Sequence, residues 1–259
     1  MKVQEIHANR FFAEVEADFL ADWEENNAGT IELTGEDVRH IRDVLRMKAG
    51  DSLVVCDGRG NDWLCRIAEI GKNSVSAEVA ECRPSGGEPL VEVVLCQGMP
   101  RGDKFDLVVQ KCIEVGVSRI VPMVCERTQF GAELLKKAKK TERWRRIALE
   151  AAKQSGRGRV PRIEEIISFE EAVSNTPEGV LCIIPYEKER EKTLKSVLRE
   201  HPDAQNCHIF IGPEGGFSEQ EIACAVEAGA VPVTLGPRIL RTETAGIAVI
   251  ATVLYELDH

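Results

Sequence analysis

The chain has 259 residues, 43% of them hydrophobic, which leaves room for two domains or one large one with ordinary globular cores. Its net charge of −10 counts against indiscriminate nucleic-acid binding, because phosphate contacts need Lys and Arg, so any such contact must come from local basic patches. No apolar run approaches the roughly 20 residues of a membrane helix, and nine cysteines, odd in number and without a C-x-x-C pair, argue against a disulfide framework or a zinc site and read as buried thiols of a cytoplasmic protein.

The N-terminal third reads mostly as short strands. Thr34 through Met47 predicts one short helix, with Val38, Ile41 and Leu45 facing inward and Arg39, Arg42 and Arg46 on an adjacent exposed face able to track phosphates. Leu53 to Cys56 and Trp63 to Ile67 flank a hairpin loop, Asp57 to Asp62, and Ser74 to Val79 alternates apolar and polar residues. The expectation is a small β-barrel with a basic helix. Cys82 to Pro89 has linker composition, so residues 1–82 and 90–259 are expected as two domains joined by 83–89.

Beyond this linker strands and helices alternate. Val91 to Cys96 reads as a strand, followed by a helix that puts Phe105, Val108, Val109, Cys112 and Ile113 on one face and ends at Gly116, and then by the strand-like Arg119 to Val124. From Lys136 to Arg162 the chain carries Lys136, Lys137, Lys139, Lys140, Arg143, Arg145, Arg146, Lys153, Arg157, Arg159 and Arg162. The stripe Trp144, Ile147, Ala148, Ala151, Ala152 makes the first part of this segment a helix with a solvated basic face. Arg157 and Arg159 instead sit in a glycine-punctuated loop, where RNA contact is expected. Gly179 to Ile184, Cys207 to Ile211 and Val231 to Leu235 continue the βαβ texture, so the domain should be an α/β sheet, largely parallel. Pro185-Tyr186-Glu187, at one strand end, is a candidate pocket wall.

Two glycine-proline turns close the sequence. Gly212-Pro213-Glu214-Gly215-Gly216-Phe217 follows one apolar run and precedes Ser218-Glu219-Gln220-Glu221, a capping box that starts a helix. Gly215 and Gly216 lack Cβ atoms and let a ligand approach the backbone. Pro213 removes a donor and Glu214 adds an anion, which disfavours phosphate; a cationic nucleoside ligand such as S-adenosylmethionine fits better, and so does a purely structural turn. At the second turn, Gly236-Pro237 breaks a strand and Thr242 is placed to cap a helix whose apolar residues Ala245, Ile247, Ala248, Val249, Ile250, Val253 and Leu254 surround it, the pattern of a buried helix. Arg238, Arg241 and Glu243 would then stand at the mouth of a packed element, meeting either a substrate or one another. There is no G-x-S-x-G elbow, H-E-x-x-H helix or G-x-G-x-x-G turn, against a hydrolase or dehydrogenase, and no metal is expected.

These two turns, with Lys104 to Val117 and Gln154 to Pro161, resemble the ribosomal RNA small subunit methyltransferase E family of the SPOUT class, a similarity that runs from Arg10-Phe11-Phe12 to the final helix. The resemblance implies a PUA-like RNA-binding β-barrel followed by a SPOUT α/β domain with a deep trefoil knot, an exception to the rule that chains are un-knotted. It implies a homodimer that methylates N3 of a uridine in the decoding region of 16S rRNA, in the 30S subunit, from S-adenosylmethionine, with neither DNA nor membrane as partner. Cofactor contacts are implied for Pro185, Tyr186, Gly212, Pro213, Glu214, Gly215, Gly216, Leu235, Gly236, Ile239, Leu240 and Thr244, and RNA contacts for Arg10, Arg39, Arg42, Arg46, Lys104, Arg127, Arg157 and Arg159. N3 of uracil becomes nucleophilic when its proton leaves and the imide anion is stabilised, so Arg241 is assigned to the uracil oxygens, and Glu243 or another base to the proton. A SPOUT enzyme acting on tRNA or ribose, and a non-catalytic RNA-binding assembly protein, are the alternatives.

Overall fold

The computed structural model describes residues 9–13, 15, 19, 23, 26, 28–129 and 137–258. The chain divides into two compact units, Met1–Glu88 with Lys153–Val160, and Pro89–Ala152 with Pro161–His259.

The first unit is built on a five-stranded sheet of order β1-β3-β4-β5-β2, from β1 (Arg10–Phe12), β2 (Thr30–Thr34), β3 (Ser52–Cys56), β4 (Asn61–Ile70) and β5 (Ser74–Pro84). β1 and β2 form its edges, so among the described residues the expected barrel is not closed by hydrogen bonds. Alternation along β4 and β5 turns Trp63, Cys65, Ile67, Val75, Ala77 and Val79 onto one core with Phe11, Ile31 and Leu33. The β3–β4 hairpin forms as read, because the Asp57 carboxylate accepts from the Arg59 and Asn61 N–H groups at 2.7 and 3.1 Å and from Asn61 Nδ2 at 2.7 Å.

The helix expected over 34–47 is shorter. Thr34 stays in β2, paired with Ser74, and α1 (Glu36–Arg39) starts only after Gly35 at φ 72°. It then widens into a π-helical turn, His40–Val44, and Arg46 lies beyond it at φ 53°. The wider turn rotates later residues out of register, so Arg39, Arg42 and Arg46 do not make one helical row. Arg42 binds Asp43 at 2.8 and 2.9 Å and the Lys72 carbonyl at 3.2 Å.

The second unit carries a parallel sheet of order β12-β10-β11-β6-β7-β8, with β9 also beside β7. Its strands are β6 (Glu92–Gly98), β7 (Arg119–Val124), β8 (Arg162–Ile163), β9 (Ile167–Ser168), β10 (Leu181–Pro185), β11 (Asn206–Ile211) and β12 (Val231–Val233). The helices are α2 (Lys104–Val115), α3 (Lys137–Ser155), α4 (Phe169–Ser174), α5 (Leu194–Glu200), α6 (Glu219–Glu227) and α7 (Thr242–Leu257). Val93 through Cys96 are buried in succession, as in a sheet covered on both faces. The predicted face of α2 is buried and Gly116 ends it at φ 125°, where a Cβ would come within 2.7 Å of the Leu254 side chain. The Ser218–Glu221 capping box is present in full. Burial pushes the free thiols of Cys56, Cys65 and Cys182 up to about 12, which keeps them protonated and unreactive.

α7 departs from expectation twice. Its N-cap is Arg241, because the Thr242 hydroxyl is engaged by Gln97 and the Gly212 carbonyl. The helix is also buried on one face only: Val249, Ile250 and Val253 are enclosed, while Thr244, Ala251, Thr252 and Tyr255 are exposed, Tyr255 to 87%. Among the described residues no helix is long and apolar enough to cross a membrane.

Candidate active site

Three neighbouring parallel strands, β10, β11 and β12, end along one edge of the second unit's sheet, and the chain turns away from each. The space outside such strand ends is the usual ligand crevice of an open α/β sheet. Here it is a cleft of about 900 Å³, walled by residues 185–187 after β10, 211–217 after β11 and 234–242 after β12, with Lys104, Arg190 and Ala245 completing it.

The first turn is fixed from both sides. Gly216 sits at φ 67° and its N–H donates to the Pro213 carbonyl at 2.9 Å. A Cβ on Gly98 would lie 2.6 Å from the Pro213 nitrogen, so the end of β6 abuts this turn backbone to backbone. From outside, Arg127 Nη1 donates to the Gly215 carbonyl at 3.0 Å. The Glu214 carboxylate accepts from the Arg101 N–H at 3.0 Å and from Lys104 Nζ at 3.2 Å. Burial pushes this carboxyl upward, but those donors outweigh it and hold it below the usual carboxylate range, so Glu214 is an anion on the cleft wall.

The second turn leads into α7. Gly236 takes φ 99°, and the Thr244 and Ala245 N–H groups donate to the Arg241 carbonyl at 2.9 and 2.8 Å. Arg241 is exposed at the mouth of the cleft, beside exposed Arg238 and Ile239. Glu243, in the first turn of α7, is 8% exposed; its Oε1 is 3.9 Å from Lys104 Nζ and its Oε2 is buried without a hydrogen-bond partner. The positive end of the helix favours a carboxylate there.

The predicted residues separate clearly. Pro185, Tyr186, Gly212, Pro213, Glu214, Gly215, Gly216, Leu235, Gly236, Ile239, Leu240 and Arg241 all line the cleft. Thr244 does not; its side chain is on the exposed face of α7. Glu243 does not line it either and stands behind Lys104. Lys104 and Arg127, read as RNA contacts, both bond the first turn, Lys104 from the cleft wall and Arg127 from an exposed position. Glu187, read with Pro185 and Tyr186 as a pocket wall, lines the cleft, whereas sequence reasoning missed Thr234 and Arg190 as lining residues and took Thr242 for a cap; a threonine next to a predicted helix start carries no mark of which carbonyl it will meet.

In the first unit two expected RNA contacts are internal ties. Arg10 grips Asp62 at 2.8 and 2.6 Å, and Arg157, 3% exposed, binds Glu88 at 3.1 and 2.7 Å. Arg39, Arg46 and Arg159 are exposed, although Arg159 Nε donates to the Arg59 carbonyl at 3.1 Å. On α3, Arg143 pairs with Asp106 and Arg145 with Glu165, a paired and solvated face; Lys136 and the side chains of Lys137 and Lys139 lie outside the described residues. Among the described residues no His, Cys, Asp and Glu group could hold a metal ion.

Residues 87–254 match the family model of an RNA methyltransferase domain, and residues 33–80 that of an RNA methyltransferase PUA domain. Fold and cleft therefore define an RNA methyltransferase with a PUA-like domain. The ribosomal RNA small subunit methyltransferase E of Bacillus subtilis is 34% identical over 235 residues, covering 89% of this chain and 92% of that protein, and the Synechocystis enzyme of the same name is 31% identical over 86% and 72%. The crystal structure of a Neisseria gonorrhoeae ribosomal RNA small subunit methyltransferase E bound to S-adenosyl methionine matches with a TM-score of 0.84 at 33% identity, covering 96% of this chain and 98% of that one. The chain belongs to the ribosomal RNA small subunit methyltransferase E family.

Proposed function

We propose that this protein transfers a methyl group from S-adenosylmethionine to N3 of a uridine in the decoding region of 16S rRNA, with the 30S subunit as the substrate particle and the cytoplasm as its location. The observation that carries this reading is the cleft of about 900 Å³ between the two glycine-proline turns, in a chain whose family includes a relative crystallised with S-adenosyl methionine. The residues fit that cofactor: the carboxylates of Glu187 and Glu214 on the cleft wall would hold its cationic groups, and Gly212, Gly215 and Gly216 offer backbone without side chains. When bound, the cofactor supplies an electrophilic methyl on a sulfonium. The chain's own residues orient the two reactants, and in-line positioning of this kind is worth up to about 7–11 kcal/mol.

The remaining chemistry is the removal of the N3 proton and stabilisation of the imide anion. Arg241 places its guanidinium toward the uracil oxygens from the cleft mouth. Glu243, whose Oε2 has no hydrogen-bond partner, or another base takes the proton, and Lys104, which lines the cleft 3.9 Å from Glu243 Oε1, adds positive charge that stabilises the anion. RNA is gripped by the exposed arginines of the first unit, Arg39, Arg46 and Arg159.

The working assembly is a homodimer that uses the exposed face of α7, and the two glycine-proline turns are parts of a trefoil knot. Residues 1–82 serve as the RNA-binding domain, 83–89 as the linker and 90–259 as the methyltransferase domain. The test is transfer of labelled methyl from S-adenosylmethionine to 30S subunits lacking the modification, followed by nucleoside mass spectrometry. N3-methyluridine is the expected product; a different methylated nucleoside would overturn the acceptor, and no transfer would overturn the activity on this particle.

A further inference from the structure

Beneath the cleft, three segments distant in sequence are tied by one line of hydrogen bonds. Gln97 is fully buried near the end of β6, in register with Ile211 of β11. Its Nε2 donates to Thr242 Oγ1 at 2.8 Å and to the Gly98 carbonyl at 3.1 Å. Thr242 Oγ1 in turn donates to the Gly212 carbonyl at 2.5 Å. Both ends of this line are carbonyl oxygens, which only accept, so the donors must run from Gln97 to Thr242 to Gly212.

Space is cleared for the line on either side. A Cβ on Gly98 would strike the Pro213 nitrogen, and a Cβ on Gly246 would come to 3.2 Å from Gln97 Oε1. That oxygen is buried without a partner. An unpartnered buried acceptor is destabilising, and an apolar side chain of similar length would fill this strand position without it. The amide is therefore poorly explained by packing alone. Gln97 itself does not line the cleft, whereas Gly212 and Thr242 do.

We infer that Gln97 is a positioning residue for the cofactor site, acting through Thr242 to hold the Gly212 turn and the start of α7 at a fixed separation. The inference rests on the S-adenosylmethionine reading above. A ligand that touches both turns binds more tightly when their spacing is set in advance, because less ordering is left to the binding step.

Calorimetric titration of S-adenosylmethionine into the full chain and into Gln97→Met, Thr242→Val, the double variant and Thr242→Ser, with a thermal unfolding curve for each, tests this. Each single change is expected to raise Kd about tenfold or more. The double variant should be no weaker than the worse single one, since both break the same line, and Thr242→Ser should keep the original affinity. A purely structural Gln97 would lower the unfolding temperature without moving Kd. A folded Gln97→Met protein with unchanged affinity, or losses that multiply in the double variant, overturns the inference. Should Gln97→Met not fold, equal affinities of Thr242→Val and Thr242→Ser overturn it instead. Absence of binding by the unaltered chain would remove the S-adenosylmethionine reading, and this role with it.

Discussion

Arg241 and Arg157 look alike in the sequence and stand in opposite environments. Arg241 is exposed at the rim of the cleft, while Arg157 is enclosed and bidentate on Glu88, a residue 69 positions away. Arg241→Ala should therefore cut methyl transfer to 30S subunits by about 100-fold or more, the scale for loss of a donor to a developing anion, and leave S-adenosylmethionine affinity unchanged by calorimetry. Full activity would take Arg241 out of the mechanism. Arg157→Ala should act on stability, because it removes an enclosed guanidinium and its two bonds to half-buried Glu88, charge-assisted hydrogen bonds worth roughly 1.5–3 kcal/mol, and leaves that carboxylate to the Gly158 and Arg159 N–H groups. Urea unfolding measures it; an unchanged midpoint with weakened RNA binding would restore the RNA role. Glycine punctuation around 154–161 placed Arg157 correctly in a loop, but no local pattern shows that a loop arginine will meet a carboxylate from far along the chain.

Elements were legible where their determinants are local. The β3–β4 hairpin, the buried face of α2 and the Ser218 capping box each depend on residues within a few positions of one another, and all formed as read. Those that failed were decided by partners outside the window. Thr34 was kept from starting a helix by its β2–β5 pairing with Ser74, and Thr242 was drawn from capping by Gln97 and Gly212. Burial in β11 has a further consequence at His208, whose imidazole is 6% exposed, near Thr176 Oγ1 at 3.3 Å. Desolvation, with a smaller contribution from Arg119, holds its pKa down at about 4. Its unfolded value is about 6.5, so between these values the unfolded chain binds the extra proton. The stability contributed by neutral His208 is complete above about pH 6.5 and is lost as pH falls toward 4, by roughly 3 kcal/mol in all. Denaturant midpoints at pH 7 and pH 5 should show this loss, and His208→Gln should diminish it; an identical pH dependence in the variant would assign it to other groups.

At the scale of the whole molecule, α7 presents Ala251, Thr252 and Tyr255 to solvent on a helix whose other face is core. Tyr255, 87% exposed beside small residues, is the large side chain that the proposed dimer would bury. Tyr255→Glu should convert the proposed dimer to monomers in sedimentation equilibrium, with methyl transfer falling in parallel. A monomeric unaltered chain would leave this face without its proposed partner.

By itself the sequence determined the class of architecture and the position of the cleft. Strand-to-turn punctuation lies within windows of about ten residues, and in a parallel sheet the strand ends are where a crevice must open. It did not determine which charged and polar side chains serve that cleft. Lys104 between Glu214 and Glu243, Gln97 beneath Thr242 and Gly212, and Arg157 on Glu88 are pairings across long stretches of chain. A cation, an amide or a hydroxyl acquires its role from the acceptor it meets and from the water it loses, and only tertiary packing fixes both.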